Sequence, residues 1–146
     1  MPGPDRDFWQ RRFEQRQTPW DRAAPGPQIA AWIADGTLHA GLRIAVPGCG
    51  GGHDVLALAQ AGCEVTAITS TAAKAPAVRE LGAHEVVSLD DPAGLKRCAR
   101  RFDFLLVTAN ASLPWNDLLA TLAPRGRMHV VGAVLEPIPV PAFALI

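Results

Sequence analysis

From about residue 42 the chain alternates between two hydrophobic rhythms. Short apolar runs at residues 42–47, 64–69, 85–88, 102–108 and 128–134 read as strands. Between them, apolar positions recur at helical spacing. Val55, Leu56, Leu58 and Ala59 form the buried face of one helix; residues 71–81, with Pro76 inside, predict a second, residues 92–100 a third and residues 115–122 a fourth. Upstream, Ile29, Trp32 and Ile33 mark a short amphipathic helix that Gly36 ends. Residues 1–27 combine a charged aromatic stretch (Phe8, Trp9, Phe13, Trp20) with the breaker Ala24-Pro25-Gly26-Pro27, and read as a partly helical extension packed on a core.

Continuous apolar runs such as Phe104-Leu105-Leu106-Val107 suit strands covered on both faces, which is the situation of a parallel sheet between two helix layers. Right-handed crossovers with one reversal after the third strand give an α/β fold, a Rossmann-like doubly wound three-layer sandwich with a parallel sheet in the order 3-2-1-4-5. A ligand crevice then opens above the carboxyl ends of the first and fourth strands. The expected organisation is one nucleotide-binding domain over residues 1–146, with an extension and helix at 1–40, a strand and helix at 41–62 and a βαβαβ remainder at 63–146.

Composition narrows the partner. The formal net charge is zero, so nothing in the overall balance favours nucleic acid or an anionic membrane, and a small-molecule nucleotide cofactor is expected instead. Cys49, Cys63 and Cys98 have no CxxC or Cys/His ligand spacing, which points to reduced thiols in a cytoplasmic protein and away from a disulfide frame or zinc site. No run approaches the roughly 20 apolar residues of a membrane span. The chain closes on Pro137, Pro139 and Pro141 among apolar residues and reads as cut short, so the edge of the fifth strand is expected to pair with this tail or with a second copy as a homodimer.

The chemistry centres on Gly48-Cys49-Gly50-Gly51-Gly52, placed where the first strand feeds a helix. Glycines there let a ligand approach backbone N–H groups and the positive end of the helix. Gly48, Gly50 and Gly52 form GxGxG, one residue short of the dinucleotide spacing GxGxxG, so a pyrophosphate fits poorly. A plain connecting turn is the alternative. His53 and Asp54 open the following helix, either as helix-start residues or as contacts to a ligand. Cys49 lacks a base placed beside it and is not read as a nucleophile.

Residues 7–62 resemble the thiopurine methyltransferase-like family of S-adenosylmethionine-dependent enzymes through Phe8-Trp9, Arg12-Phe13, Thr18-Pro19-Trp20-Asp21, Val46-Pro47-Gly48-Cys49-Gly50, Gly52-His53-Asp54 and Leu58-Ala59. The resemblance implies that Trp9, Gly48, Gly50 and Gly52 border the cofactor and that Trp20 covers it. A hydrophobic strap is the alternative for the aromatics. The pattern breaks at Thr69, where such enzymes carry an acid that accepts both ribose hydroxyls.

The remainder, residues 62–146, resembles the cofactor domain of zinc-type medium-chain alcohol dehydrogenases of the cinnamyl alcohol dehydrogenase group. The matching residues run from Glu64 to Thr71 with Lys74, then Leu81-Gly82-Ala83, Phe102-Asp103, Leu122-Ala123-Pro124-Arg125-Gly126, Val131-Gly132-Ala133 and the final six positions. This resemblance implies that Ser70, Thr71 and Lys74 hold the 2′-phosphate of NADP, with helix capping as the alternative for the two hydroxyls. It also places Val131 to Ala133 along the nicotinamide. The zinc-binding residues of such enzymes have no counterpart, so zinc-dependent hydride transfer is not expected.

Two families meeting near Gly62 imply a chimera, engineered or recombined: a Rossmann scaffold with weak or no binding of adenosine-type cofactors and no complete active site. The cofactor is S-adenosylmethionine if any, with NADP as the alternative; the alternative function is an S-adenosylmethionine-dependent methyltransferase. Asn110, just past the fourth strand, is the remaining polar candidate at the crevice mouth. Lys96, Arg97, Arg100 and Arg101 read as a solvated helix face, Asp90-Asp91-Pro92 as a helix start, and His39, His84 and His129 as surface or satisfied core residues.

Overall fold

The computed structural model describes residues 5–19, 21 and 23–146. Helices α1 (Arg6–Glu14) and α2 (Pro27–Ala34) precede a regular alternation: β1 (Arg43–Pro47), α3 (His53–Gln60), β2 (Glu64–Thr69), α4 (Ala75–Glu80), β3 (Glu85–Ser88), α5 (Gly94–Arg97), β4 (Phe102–Val107), α6 (Trp115–Ala120) and β5 (Leu122–Val130). The sheet is parallel throughout and runs β3-β2-β1-β4-β5, the predicted order.

Each strand divides its side chains between two cores, because successive residues point to opposite faces. Ile44, Val46, Val65, Ala67, Phe104 and Leu106 meet Ile29, Val55, Leu58 and Val78 from α2, α3 and α4. Ala45, Ile68, Val87, Leu105 and Val107 meet Leu95 of α5 with Trp115 and Leu118 of α6, joined by Phe102, which lies before the irregularity between Phe102 and Phe104. A sheet with helices on both faces is the three-layer sandwich that the uninterrupted apolar runs require.

Several element boundaries differ from the sequence expectation. The helix expected at 71–81 is a 3-10 turn (Ala72–Lys74) followed by α4, with Pro76 accommodated in the first turn, where a missing N–H costs nothing. The helix expected at 92–100 shrinks to α5: the Asp91 carboxylate accepts the Ala93 N–H at 3.0 Å and holds the entry, while Arg100, at φ 55, turns the chain out toward β4. The helix expected at 115–122 stops at Ala120, because Leu122 already pairs with Phe102 in the sheet. The strand expected at 128–134 therefore begins at Leu122 and ends at Val130, interrupted by a bulge in which Arg125 has φ 64 and the register jumps from Phe102–Leu122 to Phe104–Arg127.

Among the described residues, the outer edge of β5 pairs with no strand. The tail touches the core through Val134 and Ile138, whereas Phe143, Leu145 and Ile146 are fully or largely exposed. No described helix is long and apolar enough to cross a membrane.

Candidate functional site

The glycine turn at the end of β1 contains three residues with positive φ: Gly48 (74°), Gly50 (52°) and Gly52 (81°). Side chains at two of them would also collide. A Cβ on Gly48 would lie 2.3 Å from the Ala109 Cβ, and one on Gly52 would lie 2.2 Å from Leu81 Cδ1. Gly50 differs, because a Cβ there would meet nothing within 4 Å. The outer two glycines are therefore locked into packing, and the middle one opens the turn to solvent.

Gly52 caps α3 without a side-chain hydrogen bond, so the first-turn N–H groups of that helix present their partial positive charge beside Gly50. Asp54 does not cap the helix. Its Oδ1 accepts the Gly26 N–H at 2.7 Å and ties the proline-glycine entry of α2 to α3. Thr108, at the exit of β4, donates its hydroxyl to the Gly48 carbonyl at 2.7 Å and to the Pro47 carbonyl at 3.1 Å, stitching the loop after β4 to the turn.

Two residues beside the turn were not marked from sequence. Asp21 Oδ1 lies 3.1 Å from His53 Nε2 and also accepts the Ala23 N–H. Thr108 carries the stitch just described. Asp21 stands in the Thr18-Pro19-Trp20-Asp21 motif, but that motif is 32 residues from His53 and only folding brings the two together. For Thr108 the one available signal was its place at a strand's carboxyl end.

The remaining predicted residues surround this centre unevenly. Trp9 is half-buried on α1, its ring edge-on to Phe8 at 5.1 Å, while Arg12 lies 5.2 Å above the Phe8 ring. Trp20 lies outside the described residues. Thr69 is only 3% exposed, and its hydroxyl donates to the Thr71 carbonyl at 2.7 Å, so it turns back along the chain. Thr71 precedes the 3-10 turn without a side-chain cap bond, and Ser70 is half-buried beside it. Lys74 is exposed on that turn, and its charge reaches the Cys49 thiol. Burial nonetheless pushes the Cys49 thiol up, the opposite of what a nucleophile needs. Asn110 lines a shallow depression with Ser112, Trp115, Val134 and Glu136, on the β4–β5 side of the turn. Gly132 passes so close that a Cβ there would sit 2.8 Å from the Ala109 carbonyl oxygen.

The other polar groups serve packing. Arg101 departs from the expected solvated face: it bridges Glu64 at 2.9 Å and Glu85 at 2.5 Å, and Arg97 pairs with Asp91 at 2.9 Å. The His84 ring accepts the Val65 N–H at 3.1 Å, and His39 lies 2.9 Å from the Ala40 carbonyl. His129 lies between Trp32 and Phe104, 4.6 and 5.6 Å between ring centres, with its Nε2 buried and unpartnered; burial lowers its pKa below the ordinary value. No group of three or more acidic, histidine or cysteine residues suited to a metal occurs among the described residues.

Comparison with known proteins finds both resemblances. The family model for thiopurine S-methyltransferase matches residues 4–98. "Probable thiol methyltransferase 2" of Arabidopsis thaliana is 47% identical over 51 residues, covering 35% of this chain and 22% of that protein. Aldehyde reductase AdhA of Synechocystis is 39% identical over 134 residues, covering 86% of this chain and 40% of that protein. A cinnamyl alcohol dehydrogenase of Sorghum bicolor superposes with a TM-score of 0.72 at 32% identity, over 80% of this chain and 34% of its own. The methyltransferase match runs past Gly62 into α5, and a dehydrogenase match over 86% of the chain reaches well upstream of it, so the two similarities overlap through the glycine turn. The chain spans 40% or less of the length of these relatives.

Proposed function

The chain belongs to the thiopurine S-methyltransferase family, and on that premise we propose that it is a recombined Rossmann scaffold that takes S-adenosylmethionine on its glycine turn, holds it weakly and lacks a complete methyl-transfer site. The observation that carries this reading is Gly50: a positive-φ glycine with open space where a side chain would stand, next to uncapped first-turn amides of α3. When bound, S-adenosylmethionine supplies an electrophilic methyl group. Gly48, Gly50 and Gly52 give it a close backbone surface, with Trp9 and Trp20 as its aromatic border.

The weak hold follows from Thr69. A carboxylate at the end of β2 would accept the ribose hydroxyls, whereas the Thr69 hydroxyl is committed to Thr71. Losing a charge-assisted bond of about 1.5–3 kcal/mol weakens binding by about 10- to 100-fold.

NADP is the second reading, favoured by Lys74, whose charge faces the turn beside Ser70 and Thr71. Asn110 would then border the far side of the ligand. The same proposal places the protein in the cytoplasm, its three cysteines being free thiols, with a second copy along the β5 edge.

Calorimetric titration with S-adenosylmethionine and with NADP tests the reading. Wild type should bind S-adenosylmethionine, Gly50→Val should abolish binding while the fold survives, and Lys74→Glu should leave it nearly unchanged. Binding of NADP alone, lost in Lys74→Glu, would transfer the site to the second reading. No heat with either ligand would overturn both.

A further inference from the structure

Gly51 is the one glycine of the turn that its backbone does not explain. Its φ is not positive, so an L-residue meets no conformational penalty there. A side chain there would instead displace its neighbours: a Cβ at Gly51 would lie 2.8 Å from Asp21 Oδ2 and 3.2 Å from His53 Nε2. The space a side chain would need is thus occupied by the Asp21–His53 pair, 3.1 Å apart, which lies across the middle of the turn.

The pair joins two segments with separate anchoring. His53 is the first residue of α3, fixed to the sheet through Val55 and Leu58. Asp21 closes a short turn through its own N–H to the Thr18 carbonyl at 2.9 Å, and holds the Ala23 N–H with the same Oδ1 that faces His53. One carboxylate therefore organises the strap and binds it to the glycine turn. Both side chains are about one-third exposed, so the contact is open to solvent and weak enough to break.

We propose that Asp21 and His53 form a latch that holds the turn closed between Thr18 and Asp21 against the glycine turn and slows escape of the cofactor, with Gly51 kept free of a side chain to let the latch close. Asp21 and His53 are positioning residues in this scheme. The latch rests on the proposed cofactor site for its purpose and on the geometry of the turn for its existence. A side chain at Gly51 pushes the pair apart, Asp21→Asn removes the charge, and His53→Gln removes the ring, so all three open the strap.

Two measurements keep the latch and the cofactor site separate. Trypsin cleavage after Arg16 reads the strap without any ligand. Asp21→Asn, His53→Gln and Gly51→Ala should each speed it about three- to fivefold, the range of a partly exposed polar contact. The Asp21→Asn/His53→Gln double variant should match the singles, since the two residues lose one shared contact. Melting of the core should not move. The second readout is the dissociation rate of S-adenosylmethionine, which should rise by the same factor in the variants.

Wild-type cleavage rates in the three variants, or a double variant whose effect is the product of the singles, would overturn the latch whatever the cofactor does. Faster cleavage with unchanged dissociation would overturn its role in holding the cofactor. Faster cleavage with no S-adenosylmethionine binding in wild type would leave the latch standing as a strap contact and sink the cofactor reading.

Discussion

The two ends of the sheet are held by opposite chemistry. At the carboxyl end, backbone meets backbone through glycine: Gly48 and Gly132 both press on Ala109, and Thr108 stitches β4 to the turn, while Gly52 packs under the Leu81 side chain. At the amino end, half-exposed ions do the joining, with Arg101 spanning Glu64 and Glu85 across the starts of β2 and β3, and Arg43 facing Asp103 at 3.4 Å between β1 and β4. The difference teaches where the fold tolerates change. Steric fit has no slack, because a missing ångström must be found by moving backbone. Ions in water lose little when replaced, because solvent takes over their partners.

The largest test is Gly48→Val. It adds a side chain at φ 74 within 2.3 Å of Ala109, and should destabilise the protein by about 3 kcal/mol or more in urea denaturation. A loss below about 1 kcal/mol would show that the loop after β4 yields, and the contrast between the ends would fail. Thr108→Val comes next. It keeps the shape but removes the hydroxyl shared by the Pro47 and Gly48 carbonyls, for an expected loss of about 1–2 kcal/mol in urea denaturation.

Arg101→Met probes the opposite end and should cost about 1 kcal/mol, since its partners are over one-third exposed and the aliphatic stem is kept. High salt should reduce that loss and leave the Gly48→Val loss unchanged. The smallest effect is a pH dependence at His129. Its pKa is lowered in the fold by burial first and Arg127 second, so the native state prefers the neutral ring; the contribution is present above the ordinary value of 6.5 and is lost as pH falls through the lowered one. Melting temperature should drop on acidification across that window, and His129→Leu should flatten the drop.

Much of this was legible in the chain. Buried strands such as β2 and β4 announce themselves as continuous apolar runs, and both kept their predicted positions to within a residue. β5 did not, because its register depends on a bulge at Arg125 and Gly126 that only pairing with β4 defines. The same distinction runs through the site. Gly48, Gly50 and Gly52 were found by spacing, but the spacing could not tell a packed glycine from an open one. Asp21 and Thr108 were missed because their partners are remote in sequence. The expected solvated face around Arg101 became a clamp for the same reason.

By itself, then, the sequence determined the layer architecture, the strand order and the place of the glycine turn, since hydrophobic period and glycine position act through local geometry. Tertiary structure alone decided which glycine of the turn is left open and which is packed, that Thr69 turns inward to Thr71, and that Asp21 meets His53 across Gly51. Those are contacts between surfaces brought together by folding, and no local pattern encodes the distance between atoms that approach only when the whole sheet has closed.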